Sequence, residues 1–114
     1  MDKPNKYGAV RTDGYASQAE AKRADELQWL LRGGVLESVR EQVPVQLGPG
    51  FRTIVDFVIV ENGVTFAEEV KGVETQRFRD TRRMWAEYGP YRMKILTRKG
   101  DRWEREWIEG ASER

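Results

Sequence analysis

The sequence predicts a small α/β domain in which helices cover the faces of one mixed sheet. Three observations carry this: a capped amphipathic segment near the start, a run of β-branched and aromatic stretches divided by Gly-rich turns, and a second helical segment followed by another strand. With 114 residues, the chain can bury one core but hardly two, so a single domain spanning 1–114 is expected.

The elements follow in order. Residues 1–13 are polar and include Lys3, Lys6, Tyr7 and Arg11, which reads as a flexible basic arm. A helix then begins at Ser17, an N-cap residue with Glu20 three places on, and Gly33-Gly34 closes it. Between them Ala24, Leu27, Leu30 and Leu31 form an apolar stripe at helical spacing. From Val35 to Leu47 the period changes towards two, with Pro44 marking an edge strand or a bend. Gly48-Pro49-Gly50 turns the chain into the strand FRTIVDFVIV, and Asn62-Gly63 is a two-residue hairpin signal leading into VTFAEEVK. These three strands are expected to be antiparallel.

The segment VETQRFRDTRRMWAEYG supplies Phe78, Met84, Trp85 and Tyr88 to an irregular apolar face, and Gly89-Pro90 stops the helix. After this crossover YRMKILT should lie parallel to a neighbouring strand. Trp103 and Trp107, four residues apart, place a short terminal helix in 101–114. The four tryptophans, Trp29 and Trp85 included, are expected in the core or at a dimer interface.

Composition narrows the chemistry. The chain has no Cys and no His, which excludes disulfides, thiolate zinc sites and His-dependent nucleophilic catalysis. A metal would need oxygen ligands, which favours Mg²⁺ or Mn²⁺. No apolar h-region or membrane span is present, so no membrane association and a cytoplasmic location are expected. Net charge is only +1, but its distribution is uneven. Residues 71–102 hold ten Lys/Arg against four Asp/Glu, whereas residues 1–70 hold eight against eleven.

The acids carry the chemical argument. Asp56 lies six residues before Asn62 and Glu69 six after Gly63, so a regular hairpin sets them opposite each other. Lys71 shares the face of Glu69, while Glu68 points the other way and is read as ordinary. Two carboxylates so placed raise each other's pKa unless a cation holds them. A divalent metal resolves the conflict, and Lys71 beside it suits phosphodiester hydrolysis. The same pattern also fits ion pairs on a solvated sheet face. Glu20 carries two readings: a capping-box partner of Ser17, or a third acid delivered to the site by the sheet-facing stripe.

A helix bearing Glu20, three antiparallel strands bearing Asp56 and Glu69-Val70-Lys71, then helix and strand: this order resembles the PD-(D/E)XK nuclease superfamily. The stretches KYGAVRTDGYASQAEAKRADEL, EQVPVQL, DFVIV and EEVKG look like its small phage and prophage members, similar to Holliday junction resolvases. The likeness runs from about Lys6 to Leu96. It implies a restriction-endonuclease-like α-β-β-β-α-β core and a Mg²⁺- or Mn²⁺-dependent DNA endonuclease active in recombination or repair, in a bacterial or phage-infected cell. In that family's terms Asp56 and Glu69 would ligate the metal with the Val70 carbonyl, Lys71 would be the catalytic lysine, Glu20 would match the helix acid, and Gln42 would support them from behind. Val55 stands where the motif's name has Pro.

Given that setting, Lys6, Tyr7, Arg11, Arg77, Arg79, Arg82 and Arg83 are candidate DNA contacts, with Tyr7 the best base-stacking candidate. Structure-directed recognition is expected over sequence readout. Symmetric cleavage by so small a domain implies a homodimer. The alternative is a non-catalytic DNA-binding or assembly protein that keeps the fold as a scaffold.

Overall fold

The computed structural model describes residues 17–113. The basic arm, with Lys6, Tyr7 and Arg11, lies outside the described residues. Helix α1 (Gln18–Arg32) starts where Ser17 Oγ accepts the Glu20 amide at 3.1 Å and ends at Gly33, whose N–H donates to Trp29 O. The strands β1 (Ser38–Gln46), β2 (Arg52–Glu61) and β3 (Val64–Lys71) follow, then α2 (Gln76–Tyr88), β4 (Met93–Lys99), β5 (Arg102–Ile108) and a 3₁₀ turn at Ala111–Glu113.

The five strands form one mixed sheet in chain order, antiparallel except for β3 and β4. The parallel pair is what a helical crossover through α2 requires. Pro44 sits in β1, an edge strand, where its missing N–H costs no ladder bond on the open side. Asn62 and Gly63 both adopt positive φ, 51° and 75°, as a type I′ hairpin demands.

The helices cover opposite faces. Ala24 and Leu27 of α1 pack on Phe57, Ile59 and Phe66, whereas Phe78 and Trp85 of α2 pack on Val55, Val58, Ala67, Met93 and Ile95. Trp85 is fully buried, and its indole N–H donates to Tyr91 O. Among the described residues no helix is long and apolar enough to cross a membrane.

The terminal helix expected in 101–114 is instead strand β5, paired with β4 from Lys99↔Arg102 to Met93↔Ile108. Residues four apart share a face in a strand as well as in a helix, so the tryptophan spacing satisfies both periods. Gly100, at φ 65°, opens the Gly100-Asp101 turn and decides between them, because a Gly first in a two-residue loop is a hairpin signal. Trp103 and Trp107 therefore stand on the α1 side of the sheet, where Trp103 Nε1 donates to Glu26 and Trp107 meets Phe66 edge-on. Trp29 is not in the core: it is 70% exposed, with Arg32 against its ring.

Candidate active site

The site forms where two strands change sides. Val39 packs towards α1, while Val43 and Val45 pack towards α2; likewise Phe57 and Ile59 face α1, but Val55 faces α2. Regular alternation would keep each odd-numbered set on one face. The switch falls between the ladder pairs Glu41↔Phe57 and Val43↔Val55, at the step occupied by Gln42 and Asp56. Gln42 takes φ 53° there, a left-handed conformation that costs a residue with a Cβ about 1–2 kcal/mol. Such strain persists where its surroundings hold it, and at functional sites most often.

Around this step the expected residues converge. The β2–β3 ladder reaches Phe57↔Glu68, so Asp56 and Glu69 are the next pair along. Their carboxyl groups lie within hydrogen-bonding reach of each other. The Val70 amide donates to Asp56 Oδ2 at 2.8 Å. Because a strand residue's N–H and C=O point to the same side, the Val70 carbonyl faces the same gap. Lys71 Nζ stands 3.7 Å from Glu69 Oε2 and 4.4 Å from the centre of the Phe78 ring. Gln42 Nε2 donates to Glu20 Oε2 at 2.8 Å and lies near enough to Asp56 to favour its ionised form. Ser17 thus caps the helix through the Glu20 backbone, while the Glu20 side chain, itself buried, turns towards the site.

The charges are poised unequally. Burial raises Asp56, against the pull of the Val70 amide, Glu69, Lys71 and Gln42, all of which favour its ionised form. Burial and the Asp56 charge push Glu69 up to about 9, opposed by Lys71 and assisted by Glu20. Burial and their mutual repulsion thus bias both acids of the pair towards the protonated form, Glu69 the more strongly. Among the described residues no three acids lie close enough to hold a metal ion between them. Asp56 and Glu69 alone fit one, since Mg²⁺ commonly takes one or two carboxylates and keeps waters elsewhere. Glu20 is near enough to act on Glu69 electrostatically but stands back behind Gln42.

Glu68 departs from the sequence reading. Far from being an ordinary charge on the opposite face, it is wholly buried, paired with Arg23 through two bonds of 2.6 and 3.0 Å and with Lys94 at 3.3 Å. Period-two alternation places it opposite Glu69, but its partners come from α1 and β4, and nothing local in the sequence names them.

The arginines of α2 are less available than their number suggests. Arg82 is engaged by Glu74 and doubly by Glu106, at 2.8 and 2.9 Å, so it is not a free phosphate contact. Arg77 lies on the Phe51 ring and donates to Arg52 O. Arg79 holds Gln76, and Arg83, 73% exposed, stands 3.5 Å from Asp80. Beside Lys71 a groove of about 380 Å³ runs between α2 and the β4–β5 pair, with Phe78, Ile95, Thr97 and Arg105 among its lining residues. Thr97 is a groove residue that no sequence motif singled out.

No protein-family model and no curated protein matches the chain. Among solved structures, the crystal structure of SSO0001 superposes with a TM-score of 0.44 at 10% identity. The alignment covers 79% of this chain and 49% of that one, so the chain spans about half the length of that protein.

Proposed function

We propose that the protein is a metal-dependent DNA endonuclease of the PD-(D/E)XK kind, with the five-stranded sheet and α1 serving as a restriction-endonuclease-like core. The observation that carries this reading is the buried Asp56–Glu69 pair, two acids within reach of each other with Lys71 at 3.7 Å from Glu69. A structural ion pair has no use for two acids in one buried space, whereas a cation site does. Asp56 and Glu69, with the Val70 carbonyl in reach and Glu20 behind, would hold Mg²⁺ or Mn²⁺, which supplies Lewis-acid polarisation of phosphate and acidifies a water.

The chain's own residues do the rest. A cation held by the pair would displace the Glu69 proton to solvent, so that the pair would present two negative charges only when they are matched. Lys71, braced on Phe78, is placed to stabilise a phosphate oxygen or orient the attacking water. Gln42 keeps Glu20 and Asp56 aimed inward before substrate binds. Arg79 and Arg83 of α2, with Lys6, Tyr7 and Arg11 of the arm, are the proposed backbone contacts. Cutting both strands symmetrically needs a second site, hence a homodimer. Branched or junction DNA is the proposed substrate class.

A second reading, a non-catalytic DNA-binding or assembly protein, is favoured by one observation: no three acids cluster among the described residues. One assay separates the two. Linear, flapped, single-stranded and four-way-junction DNA are incubated with Mg²⁺, Mn²⁺ or EDTA, using wild type, Glu69→Ala and Lys71→Ala. Metal-dependent cleavage that drops at least 100-fold in both variants supports the nuclease. Binding without cleavage under every metal, or variants as active as wild type, leaves the scaffold reading.

A further inference from the structure

The buried charge cluster on the far side of β3 has no part in the chemistry above. Glu68 is 0% exposed, and Arg23 meets it with two bonds while Lys94 approaches the same carboxylate. Burial works against the Arg23 charge, and the bonds and charge of Glu68 and Glu26 more than offset it. Burial lowers Lys94, with Glu68 opposing. Arg23 also reaches Glu26, which in turn accepts from Trp103 of β5. The network ties α1 to β3, β4 and β5 at once.

We propose that Glu68 is a positioning residue: through Arg23 it fixes how α1 is set against β3, so that Glu20 meets Gln42 behind the Asp56–Glu69 pair. This rests on the reading of that pair as a cation site. Of the other contacts of α1, those of Ala24 and Leu27 on Phe57, Ile59 and Phe66 are apolar and non-directional, and the polar ones, Glu20 with Gln42 and Glu26 with Trp103, are single bonds that pivot. A two-bond guanidinium–carboxylate contact does not. A slip of α1 would leave Glu68 buried without its partner, which the interior does not tolerate. Arg23 lies one helical turn beyond Glu20, on the same face. Glu68 and Glu69 are consecutive in β3 and point to opposite faces. The anchor and the site therefore share one stretch of backbone, with α1 locked to the first and Glu20 held on Gln42 behind the second.

The test uses the full chain and Mn²⁺ affinity, measured by electron paramagnetic resonance without DNA. Three proteins are compared with wild type: Glu20→Gln, the apolar replacement Arg23→Met/Glu68→Leu/Lys94→Met, and the two combined. An apolar core in place of a buried ion cluster retains stability in favourable cases, so thermal unfolding establishes that the replacement is folded. The expected result is Mn²⁺ affinity weakened about tenfold, the lower end of what supporting residues contribute, equal in Glu20→Gln and in the replacement, with no further loss on combining them. A folded replacement that binds Mn²⁺ like wild type overturns the proposal, as does wild-type affinity in Glu20→Gln or additive losses. Should the replacement not fold, Glu68→Gln, which keeps the shape and removes the charge, is judged by the same criteria. Wild-type protein that binds no Mn²⁺ removes the cation-site reading itself, and this proposal with it. Wild-type binding with an indifferent replacement removes this proposal alone.

Discussion

Replacing Glu69 with Gln should make the metal-free protein more stable at alkaline pH. In the folded chain Glu69 is raised from 4.5 to about 9 by burial first and by Asp56 second. Between those values the native state keeps a proton that the unfolded chain has already lost, so stability declines as pH rises. Each pH unit in the window is worth about 1.4 kcal/mol; from pH 6 to pH 8 the wild type should lose about 3 kcal/mol from this pair. For a domain near 100 residues that is roughly 10–20 °C in Tm. Glu69→Gln mimics the protonated side chain and can still donate to Asp56, so its curve should lack this decline. The assay is urea unfolding followed by circular dichroism in EDTA at half-unit pH steps, with the variant subtracted from wild type so that other titrating groups cancel. Curves for the two proteins that run parallel from pH 6 to pH 8 would refute the upward shift of Glu69.

Three other expectations follow from particular contacts. Mg²⁺ or Mn²⁺ must displace the Glu69 proton, so calorimetric titration should show proton release near neutral pH, and the rise in Tm on adding metal should be larger at pH 8 than at pH 6. Arg79→Ala and Arg83→Ala should each reduce the salt slope of DNA binding by about one, read by fluorescence anisotropy across salt concentrations, while Arg82→Ala, already engaged by Glu74 and Glu106, should leave it unchanged. Gly100→Ala should destabilise by about 1–2 kcal/mol because Gly100 sits at φ 65°; in a helix the same change would stabilise by about 1 kcal/mol, so the sign measured by urea unfolding separates the two structures.

Much of this architecture was legible because local and long-range signals agree. Ser17 and Gly33 bound α1, Asn62-Gly63 fixes the β2–β3 register, and that register alone brings Asp56 and Glu69 together. β5 was not legible from Trp103 and Trp107, whose spacing fits two periods; the shorter signal, Gly100-Asp101, carried the answer. The change of sides at Gln42 and Asp56 leaves no trace in the pattern. Val39, Val43 and Val45 keep one parity throughout, and a rotation of the backbone between them alters their face without altering their spacing. Nor does a sequence reveal that the charge of Arg82 is spent on Glu106, 24 residues away, or that Arg23 answers Glu68 across 45.

The two adjacent acids of β3 show how environment assigns roles that residue type leaves equal. Glu68 and Glu69 are identical side chains on one strand, both nearly or wholly buried. Glu68 meets two cations, Arg23 and Lys94, and its charge is matched within the fold. Glu69 meets another acid and one half-exposed Lys, so its charge is less well matched and its pKa is pushed upwards. The difference follows from which face each occupies: one looks at a helix that brings a guanidinium, the other at Asp56 across the hairpin. A charge already matched can only hold structure. A charge kept in reserve by a removable proton is available to whatever cation enters, and that availability is what makes Glu69, and not Glu68, the residue on which the proposed chemistry depends.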